Sequence, residues 1–192
     1  MLRQMRFAPF SRAPLGPQGM AHVGARAERA ARDRFTDRRG GLDSGGAQAK
    51  GKGTIMQITW LGHSGFRIEV EGAVLLVDPW LSGNPMFPKG RRDAAVAGAT
   101  HILLTHAHHD HSADAVGLAK ALKVPLVGIY DLMGWLEQKE GIATIGFNRG
   151  GTVDLAGAKV TLVAASHSSS IGTKDGPLYA GSECGFMIAG GG

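Results

Sequence analysis

Residues 101–112 read His-Ile-Leu-Leu-Thr-His-Ala-His-His-Asp-His-Ser, and five of the chain's eight histidines fall inside them. An apolar run of this kind, Ile102-Leu103-Leu104, reads as a buried strand. The polar run behind it suits neither a core nor an ordinary surface, which points to a metal. Neutral imidazole and carboxylate are ligands that Zn²⁺ and similar ions accept, at roughly 2.0–2.2 Å, provided they converge from several directions. In an extended segment His106 and His108 point to one side, because side-chain direction repeats every two residues. Asp110 joins them only if the extension continues; a turn sends Asp110 and His111 to a second point nearby. Two ligand pairs on one short loop therefore suggest two adjacent metal positions. Downstream, Ser112–Leu122 reads as a helix with Ala115, Leu118, Ala119 and Leu122 on one face, Ser112 as its N-cap and Asp114 in its first turn. The histidines then sit at a strand-to-helix junction, where open α/β sheets place ligands.

The spacing His106-x-His108-x-Asp110-His111 after an apolar strand resembles the metal-binding signature of the metallo-β-lactamase superfamily. Thr59-Trp-Leu-Gly-His-Ser64, Val77-Asp-Pro-Trp-Leu-Ser-Gly-Asn-Pro85 and Ala165-Ser-His-Ser-Ser-Ser170 resemble segments of one branch, the metal-dependent hydrolases related to ascorbate-6-phosphate lactonase. The likeness runs from Met56 to about Gly190. It implies an α/β fold, the αββα sandwich of that superfamily, of which only the N-terminal part is expected here. It also implies a first metal on His106, His108 and His167, with Asp110 and His111 on a second. His167 follows the apolar strand Val160–Ala164, so a strand end again delivers a ligand. The complete enzyme would hold two Zn²⁺, with Mn²⁺ or another divalent ion as alternatives. In the family, a bridging aspartate and a further histidine come from a later half, and this sequence ends at Gly192. The expectation is therefore a fragment whose second site keeps two ligands, which expresses poorly or binds fewer than two metals.

Asp78 ends an apolar strand before Pro79, so its carboxylate is either solvated in the cleft or hydrogen-bonded beneath the metal loop; the resemblance implies the second. Supporting partners of that kind tune metal affinity. His63, in the turn Gly62-His63-Ser64, is a substrate contact or proton carrier, or else a structural turn histidine. Asp110 is a candidate for orienting the nucleophile as well as a ligand. Trp60 and Trp80 read as core or cleft wall, His109 as a variable position of the motif, and His101 as a surface or strand-edge residue. Ser64, Ser168, Ser169 and Ser170 read as loop hydroxyls, since no serine nucleophile is needed when a metal lowers the pKa of water from 15.7 to about 7.

The formal charge of +5 divides unevenly: residues 1–55 carry eleven Lys or Arg against four Asp or Glu, and residues 56–192 carry ten against twelve. The basicity belongs to the N-terminal 55 residues, whose Arg, Gly, Ala and Pro content without periodicity reads as disordered. Three readings stand for that segment: an upstream extension with Met56 the real start, a transit peptide, or a basic arm for nucleic acid. The rest, residues 56–192, is the hydrolase-like domain. With a charge of −2 and no basic stripe, it argues against nucleic acid as a partner. No stretch nears the roughly 18 apolar residues of a membrane span. A lone Cys184 is compatible with the reducing cytoplasm. The expected function is hydrolysis of an ester, lactone or phosphodiester in a small molecule. The alternatives are a non-catalytic fragment holding at most one metal, or a phosphodiesterase acting on nucleic acid or phospholipid. Self-association into a homo-oligomer is left open.

The remaining elements follow from alternation and turn residues. Gln57–Trp60 and Phe66–Val70 alternate, Glu71-Gly72 turns into the buried run Ala73–Val77, and Leu126–Ile129 is a short buried strand. Asp131–Lys139 reads as a helix capped by Asp131 and stopped by Gly141. Thr152–Leu155 and Lys159–Ala164 flank a turn at Ala156-Gly157-Ala158, and Cys184–Ala189 begins another strand.

Overall fold

The computed structural model describes residues 56–190; the three readings of residues 1–55 lie outside the described residues. The chain opens with three antiparallel strands, β1 (Gln57–Gly62), β2 (Gly65–Val70) and β3 (Ala73–Val77). Strands β4 (His101–Leu104), β5 (Leu126–Ile129) and β6 (Thr144–Phe147) continue the sheet in parallel, in the order β1-β2-β3-β4-β5-β6. Between them lie α1 (Arg92–Val96), α2 (His109–Ser112), α3 (Ala115–Leu122) and α4 (Tyr130–Glu140). A second sheet, ordered β11-β8-β7, is built from β7 (Thr152–Leu155), β8 (Ala158–Ala164) and β11 (Cys184–Ala189). A hairpin of β9 (Ser170–Thr173) and β10 (Gly176–Tyr179) stands apart from both sheets.

The central strands are buried on both faces, which is why they read as unbroken apolar runs. Leu76, Ile102, Leu104 and Leu126 face Leu118 and Ala119 of α3 and Leu132, Met133 and Leu136 of α4. Their neighbours Leu75, Val77, Leu103 and Val127 face Leu155, Ala158 and Val160 of the second sheet. The architecture is thus helix, sheet, sheet among the described residues. The expected strands all form, β1 running two residues further and β2, β4 and β8 each starting one earlier.

Two helix starts differ from the expectation. Ser112 ends α2 instead of capping α3, and its hydroxyl donates to the carbonyls of Ala107 and His108, both 3.0 Å away. Asp131 lies inside the first turn of α4, whose N-cap position is Ile129 and whose αL stop is Gly141, φ 64°. Of Trp60 and Trp80, one differs as well. Trp60 is 51% exposed on β1, not in the core. His101 is half-buried at the start of β4, an interior strand of the sheet. Strand β6, helix α1 and the β9–β10 hairpin had no sequence expectation, being four or five residues long and carrying weak patterns.

Candidate metal centre

The parallel strands deliver their chemistry at one end. β3 is followed directly by Asp78, β4 by Thr105 and the histidine loop, and the chain turns helical at His109 instead of staying extended. That turn separates the ligands as the spacing allowed. His106, His108 and His167 form one cluster and His63, Asp110 and His111 another, the donor atoms of each lying within 4.8 Å of one another. His106 Nε2 and His108 Nδ1 are 3.1 Å apart, and the His167 ring centroid lies 4.8 Å from that of His106. In the second cluster Asp110 Oδ2 is 2.9 Å from His63 Nε2 and 3.6 Å from His111 Nε2. His109 is exposed and stands in neither cluster.

The tautomers follow from hydrogen-bond arithmetic. The buried carboxylate of Asp78, 2% exposed, accepts the Thr105 N–H (2.8 Å), the Thr105 hydroxyl (2.6 Å) and the His111 Nδ1–H (2.9 Å). Thr105 has one hydroxyl proton and gives it to Asp78, so its oxygen accepts from His106 Nδ1–H at 2.9 Å. Both histidines therefore hold their protons on Nδ1 and turn the Nε2 lone pair outward, towards the clusters. Asp78, His106 and His111 also lie together, but that grouping is occupied by its own hydrogen bond beneath the loop. Asp78 thus sits under the histidine loop, not in solvent.

Electrostatics divides the two clusters. Burial, and then the charge of neighbouring His111, push His106 down to about 4, so it stays neutral and ligand-ready at pH 7. Burial also acts to lower His111, but the hydrogen bond and charge of Asp78 and the charge of Asp110 outweigh it and raise that pKa. Burial acts to raise Asp110, yet its own backbone N–H, His111 and His63 hold it below the usual carboxylate range.

His63 reaches the second cluster through strained backbone. It has φ 50°, follows Gly62 at φ 90°, and its carbonyl accepts the Trp60 indole N–H at 2.9 Å. A Cβ on Gly62 would meet Asn84 Nδ2 at 2.9 Å and the Met86 backbone at 3.0 Å, so the turn needs glycine for space as well as for φ. Asp78 is likewise left-handed, φ 44°. Positive φ at two non-glycine residues in one site is the kind of strain that clusters at functional sites. Trp80 stands edge-on to His63, ring centroids 5.4 Å apart, and forms a wall. Of the serines, Ser169 is buried, its hydroxyl accepting the Ala107 N–H at 3.4 Å.

The expectation of a second site with two ligands is therefore revised: His63 stands with Asp110 and His111 as a third donor. Sequence spacing could not show this, because His63 and Asp110 are 47 residues apart. Thr105 was likewise unmarked, a hydroxyl between an apolar strand and a histidine run.

The sequence profile of a beta-lactamase superfamily domain matches residues 57–192. The chain belongs to the β-lactamase superfamily. Among curated relatives of this superfamily chain, a UPF0173 metal-dependent hydrolase of Cereibacter sphaeroides (strain ATCC 17025) is 69% identical over 135 residues, 70% of this chain and 59% of the relative. One of Paracoccus denitrificans is 64% identical over the same shares. The chain thus spans about 59% of the length of these relatives. Igni18, a metallo hydrolase of Ignicoccus hospitalis, superposes with a TM-score of 0.60 at 30% identity, covering 71% of this chain and 57% of that one. The metallo-β-lactamase fold protein YhfI of Bacillus subtilis matches with a TM-score of 0.51 at 19% identity, 70% of this chain and 58% of that one, a likeness of fold alone. Together these show a metallo-β-lactamase fold covered in part, in a family of metal-dependent hydrolases.

Proposed function

We propose that this superfamily chain holds divalent metal at two adjacent positions, and that it serves the hydrolysis of an ester, lactone or phosphodiester bond in a small molecule. The observation that carries this reading is the pair of three-donor clusters whose central histidines, His106 and His111, are fixed by Asp78 with Nε2 outward. The donors suit a borderline cation. Three neutral imidazoles meet at the first position, and two imidazoles and a carboxylate at the second. Zn²⁺ fits this set, and Mn²⁺ fits the carboxylate-bearing cluster.

His106, His108 and His167 would hold the first ion, and His63, Asp110 and His111 the second. An ion so held supplies Lewis acidity and lowers the pKa of water to about 7. The protein's own work is to aim the donors and to keep His106 deprotonated. Asp78 orients both clusters, Trp80 walls one side, and the Asp110 carboxylate is placed to accept a proton from a nucleophile near His63. The charge of −2 over residues 56–192 favours a small molecule over a nucleic-acid backbone, and the buried thiol of Cys184 fits a cytoplasmic setting.

The experiment is metal analysis of the purified full chain after zinc loading, coupled to a panel of lactones, esters and a generic phosphodiester. Turnover that requires zinc and disappears in His106→Ala supports the reading. Zinc-loaded protein without turnover of any panel member would mark a metal-binding chain that is not itself a hydrolase.

A further inference from the structure

His63 comes to the second cluster on a strained hairpin. β1 and β2 pair Trp60 with Phe66 and Gly62 with Gly65, so Leu61 is an extra residue on β1. A bulge of this kind re-aims the chain, here just before the two-residue turn His63-Ser64. The first residue of such a turn, where φ is positive, is ordinarily Gly, Asn or Asp; here it is a histidine at φ 50°. The His63 side chain is 40% exposed and meets the rings of Trp80 and His111 edge-on. Its aim at Asp110, 2.9 Å away, therefore depends on its backbone.

Side chains hold that backbone on both sides of the turn. Upstream, the buried Asn84 amide donates to the Trp80 carbonyl at 3.0 Å, accepts the Met86 N–H at 2.9 Å and stands against Leu61 and Gly62, its Nδ2 3.5 Å from the Leu61 carbonyl. At the turn itself, the Trp60 indole N–H donates to the His63 carbonyl at 2.9 Å. Trp60 makes this bond while leaving half of a large apolar ring in water, where burial would be favoured. Its N–H accounts for that placement, since no other large apolar ring without a hydroxyl carries a donor.

We propose that Trp60 is a positioning residue: its indole N–H fixes the His63 carbonyl, locks the left-handed turn and so aims the His63 imidazole at the second metal position. The inference rests on the metal reading given above and adds no ligand to it. Among the described residues Trp60 makes no hydrogen bond to His106, His108 or His167, so the first position is independent of it.

The test is zinc titration of the full chain against a chromophoric competitor in three backgrounds. His108→Ala leaves the His63–Asp110–His111 position, and Asp110→Ala leaves the His106–His108–His167 position. The third background, His108→Ala with His63→Ala, leaves the second position without the residue that Trp60 aims. Trp60→Phe keeps an aromatic ring and removes the N–H. It is expected to weaken zinc by about 10–100-fold in the first background, the range for residues that support a ligand, and to change neither of the others. Replacing the Trp60 indole by its benzothiophene isostere, which lacks only the N–H, gives the same pattern even if Trp60→Phe does not fold. No weakening in the first background, equal weakening in the first two, or the same weakening with His63 already removed overturns the inference and leaves the metal reading intact. A parent chain that takes up no zinc overturns both.

Discussion

Asp78 follows β3 with φ 44° and spends both carboxylate oxygens on three donors, two of them from Thr105 and one from His111. Through them it fixes the tautomers of His106 and His111, one in each cluster. Asp78→Asn sets an amide N–H against one of those donors. The metal-free chain should lose about 1–3 kcal/mol, read by urea unfolding, and zinc should weaken by about 10–100-fold at both positions. Thr105→Val removes the hydroxyl that joins Asp78 to His106 and leaves the bond from His111 to Asp78, so its effect should be larger at the first position; equal loss at both would contradict the relay. The histidines themselves were legible because four candidate ligands lie within six residues, and adjacency in sequence needs no fold to be seen. Thr105 and the placing of His63 were not legible, because each depends on a strand end or a turn bringing distant residues together.

Asp114 occupies the N-cap position of α3 without bonding that helix's own backbone through its side chain. Its carboxylate reaches sideways instead, accepting the Leu81 and Ser82 N–H groups at 2.8 and 2.7 Å, the Ser82 hydroxyl at 2.7 Å and Arg92 of α1 at 3.0 Å. One side chain thus ties α3 to the loop after β3 and to α1. Burial acts to raise Asp114, but the hydrogen bonds from Ser82, Leu81 and Arg92 prevail and hold it below the usual carboxylate range. A folded pKa below the unfolded value of about 3.9 means the unfolded chain takes the proton first as pH falls. The stability from Asp114 is therefore complete above about pH 4 and is lost as pH drops through the lowered folded value. In urea unfolding, the gap between wild type and Asp114→Asn should be constant above that pH and shrink below it; a gap that persists in acid would contradict the assignment. At this scale the strands and the Gly141 stop were legible and the helix N-caps were not. Apolar runs announce burial, whereas Ser112, which reads as a cap, and Asp114, which reads as a first-turn acid, are recruited by the metal loop and the loop after β3.

Among the described residues the metal candidates gather from the loop after β4, the β1–β2 turn and the loop after β8, with one sheet buried between helices and a second sheet. Of that plan the opening antiparallel strands, the strand-to-helix junction and the two-sheet fold were readable, the last only through family resemblance. Among the described residues β11 pairs only with β8, and Met187, Ile58 and Trp60 are more than half exposed. An open strand edge beside exposed apolar side chains favours self-pairing. Sedimentation should show association that grows with concentration and falls in Met187→Lys; a chain that stays monomeric throughout would refute this. No helix among the described residues is long and apolar enough to cross a membrane. The central claim is that two three-donor clusters hold metal, and zinc stoichiometry of the full chain tests it most directly. The account predicts two equivalents, with His106→Ala losing one and His111→Ala losing the other. Fewer than two in the parent chain, or the same count in both variants as in the parent, would contradict it.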